Sequence, residues 1–274
     1  MGYASLLMCV TGGGAQDSYA DAVLSFAQSH QAKVSAIYAI NPVPPYLLTA
    51  DYLPPPMTAE YLKDEEELEQ KSRALVETRA KALGMSIDWH LEHSLPLDGV
   101  CRHSPYYDLI TVPAGTDITA TTDGSGLPAE LVMSVGNPVM IIPPTTRSAG
   151  IGKRVLIAWK PSREATRAIH DALPLLRQAE KVTVLKIGVN ANSTSEDADK
   201  LVSHLAAHGV RSETLFEMAD GRIVGSVVLD VIQRLNCDLL VMGGYGHSRL
   251  RELLLGGVTR HVLRHLSIPV FMSH

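Results

Sequence analysis

The chain has few aromatic residues, no long apolar run and no cluster of basic residues. Aromatic residues make up 5% of its 274 residues, whereas 46% are hydrophobic. A core rich in aliphatic side chains favours helices packed on a parallel sheet over a β-sandwich. No segment approaches the ~18–20 consecutive apolar residues of a membrane-spanning helix, and the first residues lack a basic secretion signal. We therefore expect an α/β protein of the cytoplasm.

The charge, cysteine and histidine patterns argue against several classes of protein. The formal net charge is −5 at pH 7, so the surface is not suited to nucleic-acid phosphates. The three cysteines, Cys9, Cys101 and Cys237, form no CxxC pair, which predicts reduced thiols used for packing. His261 and His265 are four residues apart, but no glutamate of an HExxH motif accompanies them. We therefore predict no metal site, no catalytic residue, and no nucleic-acid or membrane partner.

The sequence contains an internal repeat, in which similar apolar segments follow one another in the same order in each half. The matched segments are 6–10 with 155–159, 32–37 with 180–185, 108–112 with 238–242, and 137–142 with 267–272. Each segment has the length of a buried strand, and helical patterns lie between them. We predict two domains, 1–144 and 151–274, joined by a linker at 143–150. Each is expected to be a five-stranded parallel open sheet with helices on both faces.

The first half carries a proline-rich segment, 41–58, between its second and fourth strands, which has no counterpart in the second half. Proline cannot join a sheet ladder or a helix interior, so we predict an extended surface loop. A helix is predicted to follow from about residue 59 to residue 83, with Gly84 as its C-cap. We interpret the acidic run at 64–67 in this helix as a solvated face rather than a cation site.

Two glycine clusters follow the fourth strand of the second half. Gly243, Gly244 and Gly246 come directly after that strand, and Gly256 and Gly257 open the next helix. Glycines beside a helix N-terminus let backbone N–H groups approach an anion, which is how proteins often hold phosphates. The same glycines are also compatible with tight turns alone, and the spacing by itself leaves both interpretations open.

The pattern Gly243-x-x-Gly246, nine residues, Gly256 resembles the nucleotide-binding motif of the universal stress protein family, and both halves resemble that family's five-stranded unit. The resemblance implies a tandem, Rossmann-like fold of the adenine nucleotide alpha hydrolase type. It also implies a stress-response protein that binds ATP, ADP or AMP, with Mg²⁺ accompanying the phosphates. The implied binding residues are Ala158, Trp159, Lys160, Ile187, Gly188, Met242, Gly243, Gly244, Gly246, His247, Gly256, Gly257, Val258 and Thr259.

Two positions depart from the family's pattern. Gly257 stands where the ATP-binding members carry Ser or Thr, so a hydroxyl contact to phosphate is absent. Such a contact is worth about 0.5–1.5 kcal/mol, so its absence weakens binding without abolishing it. Lys160 replaces the family's usual acidic residue, and either a pairing with phosphate or a solvated surface position fits a lysine there. The first half lacks the paired glycines altogether, and we expect it to be structural.

Two other classes of function remain open from the sequence. The first is a nucleotide-independent interaction module, whose partner is a second copy or a client protein bound through the edge strands 138–142 and 268–272. The second is a slow ATPase, although the predicted loop offers no evident carboxylate base. The resemblance also implies pairing through the last strands, which a tandem chain can satisfy internally, and a homodimer is predicted as well.

Overall fold

The computed structural model describes residues 2–12, 16–40, 55–115, 126–146, 150–190, 193–244 and 257–274. In these residues the strands are β1 Ser5–Val10, β2 Lys33–Ala39, β3 Ile87–Glu92, β4 Leu109–Pro113, β5 Val139–Ile142, β6 Arg154–Trp159, β7 Lys181–Gly188, β8 Ser212–Met218, β9 Leu239–Gly243 and β10 Val270–Ser273. They form one sheet in the order β3-β2-β1-β4-β5-β10-β9-β6-β7-β8. The predicted fold class, an open and mainly parallel sheet with helices, is therefore confirmed.

The two halves join through their last strands. All pairings within each half are parallel, whereas β5 and β10 run antiparallel, with Met140 opposite Phe271 and Ile141 opposite Val270. The pairing of the last strands within the chain, which the family resemblance implies, is therefore confirmed. The alternative in which 138–142 and 268–272 are free edge strands is wrong, because their backbone groups already bond to each other. Strands β3 and β8 form the edges of the sheet in the described part of the chain.

Helices cover both faces of this sheet. The helices are α1 Gln16–His30, α2 Pro55–Ala82, α3 Pro96–His103, α4 Gly126–Ser134, α5 Arg163–Leu176, α6 Glu196–Ala207, α7 Val224–Leu235 and α8 Gly257–Arg264. Buried side chains of α1, α2, α5 and α6 form one apolar cluster with the sheet. Those of α3, α4, α7 and α8 form the other. In the described residues, no helix is both long and apolar enough to cross a membrane.

The helix after the proline-rich segment begins earlier than the sequence indicates. Helix α2 starts at Pro55 rather than near residue 59, so the end of segment 41–58 is helical and not an extended loop. Pro55 and Pro56 are compatible with this position because the first N–H groups of a helix have no intrahelical partner. Residues 41–54 lie outside the described residues. Gly84 has a positive φ of 71°, as expected of a residue just past a helix end.

An aspartate just before the fourth strand of each half holds the start of the first strand. Asp108 Oδ2 accepts hydrogen bonds from the backbone N–H groups of Ala4 and Ser5, at 2.7 and 3.0 Å. Asp238 accepts from those of Gly152 and Arg154, at 2.8 and 3.0 Å. Burial raises the pKa of Asp238 above its ordinary value, although the hydrogen bonds from the backbone act in the opposite direction. The repeat therefore extends to individual contacts.

The cysteines are free thiols, as the sequence predicts. Cys9 and Cys237 are buried and Cys101 is half-buried. Burial raises the pKa of Cys237 to about 11 and that of Cys9 further, so both thiols remain protonated at neutral pH. Packing, rather than thiolate chemistry, accounts for these two residues.

Candidate functional site

A cavity of about 740 Å³ opens in the second half, where β6, β7 and β9 end. The first turns of α5, α6 and α8 form its other walls, through Ser162, Glu196 and Gly257 among others. The carboxyl ends of parallel strands are where open α/β sheets bind ligands. The size also lies within the range of about 300–1,000 Å³ that is typical of small-molecule sites.

Most of the residues implied by the glycine motif lie around this cavity. The predicted residues that line it are Ala158, Trp159, Lys160, Ile187, Met242, Gly243, Gly257, Val258 and Thr259. Gly246, His247 and Gly256 lie outside the described residues. The cavity thus brings together the ends of β6, β7 and β9 and the start of α8, which are far apart in sequence.

Two predicted residues do not line the cavity, and close packing explains why each is a glycine. A Cβ atom on Gly188 would lie 2.6 Å from the Met218 sulfur and 2.8 Å from the Phe216 ring, so β8 packs directly against it. A Cβ atom on Gly244 would lie 2.5 Å from Val132 Cγ1, across the junction between the halves. The Gly244 N–H also donates to the Ser273 carbonyl at 2.9 Å. Both glycines serve packing in this structure.

Gly243 lies at the cavity because α5 begins directly against it. A Cβ atom there would lie 2.5 Å from the backbone nitrogen of Ala165 and 2.7 Å from the carbonyl carbon of Glu164. Ser162 caps this helix, with its hydroxyl accepting a hydrogen bond from the Ala165 N–H at 3.2 Å. The lack of a side chain at Gly243 therefore allows the N-terminus of α5 to reach the cavity wall.

Helix α6 also forms part of the cavity wall, which the sequence did not indicate. Glu196, Asp197 and Lys200, from its first turns, line the cavity. Asp197 forms an ion pair with Lys186 of β7; the Asp197 side chain is 30% exposed and that of Lys186 is 17% exposed. Lys200 forms an ion pair with Glu196, with 2.6 Å between Nζ and Oε1. A lysine near the end of a mainly apolar strand is the one sequence signal that could have indicated the contact between Lys186 and Asp197.

The lining charges that remain after these pairings are Lys160 and Glu164. Lys160 is exposed and makes no ion pair with any residue that the structure describes. Glu164 is only 8% exposed. Burial would raise the pKa of Glu164, but hydrogen bonds from its own backbone N–H and from Ser162, with the charge of Arg163, lower it below its ordinary value. The mouth of the cavity thus carries an unpaired cation, and its wall carries an ionised carboxylate.

Two polar atoms in the cavity walls are buried without a hydrogen bond among the described residues, Trp159 Nε1 and Asp197 Oδ1. Most buried polar groups in proteins find a partner, so a donor and an acceptor left in one wall are unusual. Their residues both line the cavity.

The corresponding place in the first half is filled. Tyr38 of β2 lies opposite Val10 of β1, just as Lys186 of β7 lies opposite Trp159 of β6. Tyr38 therefore occupies the position in the first half that Lys186 occupies in the second. A Cβ atom on Gly12, just beyond β1, would lie 2.8 Å from the Tyr38 hydroxyl oxygen and 2.7 Å from Leu68 Cγ. Leu68 belongs to α2, the helix after the inserted segment. Helix α2 therefore covers the end of β1.

The fold and the cavity define a tandem α/β protein with a ligand-sized opening at the strand ends of its second half. Residues 152–274 match the model of the Universal stress protein family. A universal stress protein of Synechocystis is 28% identical over 144 residues, which cover 51% of this chain and 48% of the relative. The chain thus spans about half the length of that curated relative. The second half of this chain is therefore similar to the Universal stress protein family.

Solved structures show the same fold along nearly the whole chain. The crystal structure of a universal stress protein from Archaeoglobus fulgidus has 15% sequence identity and a TM-score of 0.74, over 97% of this chain and 94% of that one. A putative universal stress protein from Pseudomonas aeruginosa has 16% identity and a TM-score of 0.56, over 98% and 92%. At such identities the likeness concerns the fold, and the ligand has to be argued from the cavity itself.

Proposed function

We propose that the second half of this chain binds an adenine nucleotide, ATP, ADP or AMP, and that the first half is structural. The observation that carries the proposal is the cavity at the ends of β6, β7 and β9 with the exposed Lys160 at its mouth. Residues 1–144 and 151–274 are the corresponding domains. The protein acts in the cytoplasmic stress response as a nucleotide-responsive partner of client proteins.

The distribution of side chains supports this ligand class. Leu185, Val228 and Met242 form a buried apolar part of the wall, which suits a flat aromatic base. Lys160 and the N-terminus of α8 at Gly257 lie where an anion is favoured, by charge and by free backbone N–H groups. The base therefore packs against the apolar wall, and the phosphates extend toward Lys160 and Gly257.

Hydrolysis is not part of the proposal. Glu196 and Asp197 line the cavity, but each is paired with a lysine, which disfavours its use as a base toward water. Any Mg²⁺ would arrive with the nucleotide, because this ion usually keeps several waters and binds mainly through phosphate oxygens. A homodimer must use surfaces other than β5 and β10, since these strands pair within the chain.

Isothermal titration with ATP, ADP and AMP tests the proposal. We expect one nucleotide per chain, and at least tenfold weaker binding in Ala158→Leu, since the larger side chain enters the cavity that Ala158 lines. Ala206→Leu is the matched control, because Ala206 is exposed on α6 outside the cavity. Its affinity should equal that of the unchanged protein.

Nucleotide carried through purification provides a second measurement. Acid treatment of freshly purified protein should release an adenine nucleotide that chromatography identifies, and less of it from Ala158→Leu. The proposal fails if none of the three nucleotides gives heat at millimolar concentration. It also fails if Ala158→Leu binds nucleotide as tightly as the unchanged protein does.

A further inference from the structure

Three histidine side chains lie together on neighbouring helices of the second half, outside the cavity. His170 belongs to α5, His204 lies in the last turn of α6, and His208 follows as the C-cap of α6. Their ring centres are 5.3 Å apart for His170 and His204, 6.2 Å for His170 and His208, and 4.6 Å for His204 and His208. Three imidazoles thus meet at one place on the surface.

The distances between the ring centres are close to those of three imidazoles that share one metal ion. Imidazole nitrogens lie about 2.0–2.1 Å from a bound Zn²⁺, so three rings on one tetrahedral ion have centres about 5 Å apart. The observed distances of 4.6–6.2 Å span that value. His204 and His208 also have the i, i+4 spacing by which two helical histidines bind one ion from the same face.

The ring nitrogens of this histidine triad are available to a ligand. Among the described residues, no hydrogen bond or ion pair occupies a ring nitrogen of His170, His204 or His208. The cluster in the first half differs, because His103 is hydrogen-bonded to Glu92 at 2.8 Å.

Binding requires the rings to rotate. In the described part of the chain, no three histidine, cysteine or carboxylate side chains have metal-binding geometry as they stand. His170 and His204 are exposed, and exposed side chains change rotamer within picoseconds to nanoseconds. Arg177 donates to the His208 carbonyl at 2.9 Å, so its charge opposes a bound cation. The three imidazoles therefore favour metal binding, and the charge of the nearby guanidinium weakens it.

We propose that His170, His204 and His208 bind one divalent transition-metal ion of the class that prefers imidazole, represented by Zn²⁺. The sequence alone predicts no metal site, since His170 lies 34 residues before His204 and only the fold brings them together. Both helices also begin at the cavity, through Ser162 and Glu196. The ion therefore links two of the helices that form the cavity walls.

Zn²⁺ binding to untagged protein, measured by competition with a chromogenic chelator, tests the site. We expect at least tenfold weaker binding in His170→Gln and in His204→Gln, since each leaves two ligands. His265→Gln is the matched control, because His261 and His265 form an i, i+4 pair on α8 with ring centres 4.6 Å apart. Loss of one ring from that pair should leave the tight Zn²⁺ site unchanged.

Co²⁺ provides a spectroscopic test of the ligand set. Tetrahedral Co²⁺ should give visible absorption in the unchanged protein and in His265→Gln, and lose it in His204→Gln. Circular dichroism checks that each variant folds, as expected for substitutions at exposed positions. Equal Zn²⁺ affinity of His170→Gln and the unchanged protein overturns the proposal, as does an equal loss in His265→Gln. Both outcomes are independent of whether a nucleotide binds.

Discussion

The two halves of the chain share one strand order but differ in what lies at the ends of their strands. In the second half a cavity of about 740 Å³ remains between the sheet and the helix starts. In the first half, Leu68 of α2 lies over Gly12, and Tyr38 stands where the second half has Lys186. A side chain from one longer helix and one tyrosine on the sheet thus close a strand-end site while the strand order is unchanged. After a duplication, the scaffold and the site can therefore change independently.

The junction of the halves explains why the filled half is retained. Strands β5 and β10 pair at the centre of the sheet, so each half covers an edge that the other would leave exposed. Tyr3 of the first half adds a hydrogen bond from its hydroxyl to the Asp171 carbonyl of α5, at 2.9 Å. Through α5, the first half therefore supports a helix that forms one wall of the cavity.

The largest expected effect concerns the end of the fourth strand, where the first half has Pro113 and the second has Gly243. Gly243→Ala should lower the free energy of unfolding by about 3 kcal/mol, since its Cβ would meet the α5 backbone, which cannot yield as a side chain can. Urea unfolding measures this. Gly136→Ala is the control, because a Cβ there has no neighbour within 4 Å. Equal losses would mean that the α5 contact is not tight.

The aspartates that hold the first strands provide the next comparison. Asp238→Ala should lower the free energy of unfolding by about 2 kcal/mol, because the buried Gly152 N–H then lacks a partner. Asp108→Ala should cost about 1 kcal/mol or less, since its hydrogen bonds are exposed and water can replace it. Chemical denaturation of both variants measures the difference. Equal losses of stability would contradict the prediction, since they would mean that the backbone N–H groups at the starts of β1 and β6 do not differ in effective burial.

The sequence predicted the strands, helix ends and glycine clusters of both halves better than the contacts between them. The repeated apolar segments, the C-cap at Gly84 and the clustered glycines could be predicted because each depends on neighbouring residues. The covering of the first-half strand ends by Leu68 could not be predicted, since it depends on where a distant helix lies over Gly12. The packing of Gly188 and Gly244 was not predictable for the same reason, because packing and ligand approach both require glycine.

Local sequence patterns also could not predict the pairing of β5 with β10 or the part of the cavity wall that α6 forms. Segments 138–142 and 268–272 read as ordinary strands, and only the family resemblance indicated that they pair with each other, since nothing in the segments themselves specifies an antiparallel partner. The ion pair between Lys186 and Asp197 joins a strand to the next helix, whose orientation the sequence alone does not fix. Patterns with a local physical cause were thus predictable, whereas contacts between elements required the fold.

Removal of the covering side chain in the first half tests whether closure alone distinguishes the halves. Leu68→Ala should lower the free energy of unfolding by about 1 kcal/mol, the amount for a half-buried leucine. The number of nucleotides bound per chain should stay at one, since Tyr38 still fills the place of Lys186. Equilibrium dialysis with ATP measures the number. A second bound nucleotide would show that Leu68 was the only difference that mattered.

The smallest expected effect is a gain in the open half, at the position where the family's ATP-binding members carry a hydroxyl. Gly257 is exposed at the first residue of α8, and a Cβ there would have no neighbour within 4 Å in the described structure. Gly257→Ser should therefore tighten ATP binding about twofold to tenfold, the equivalent of one added hydrogen bond. Gly257→Ala adds the Cβ without the hydroxyl and should not tighten binding. If titration gives both variants the same affinity, the phosphates do not reach the start of α8.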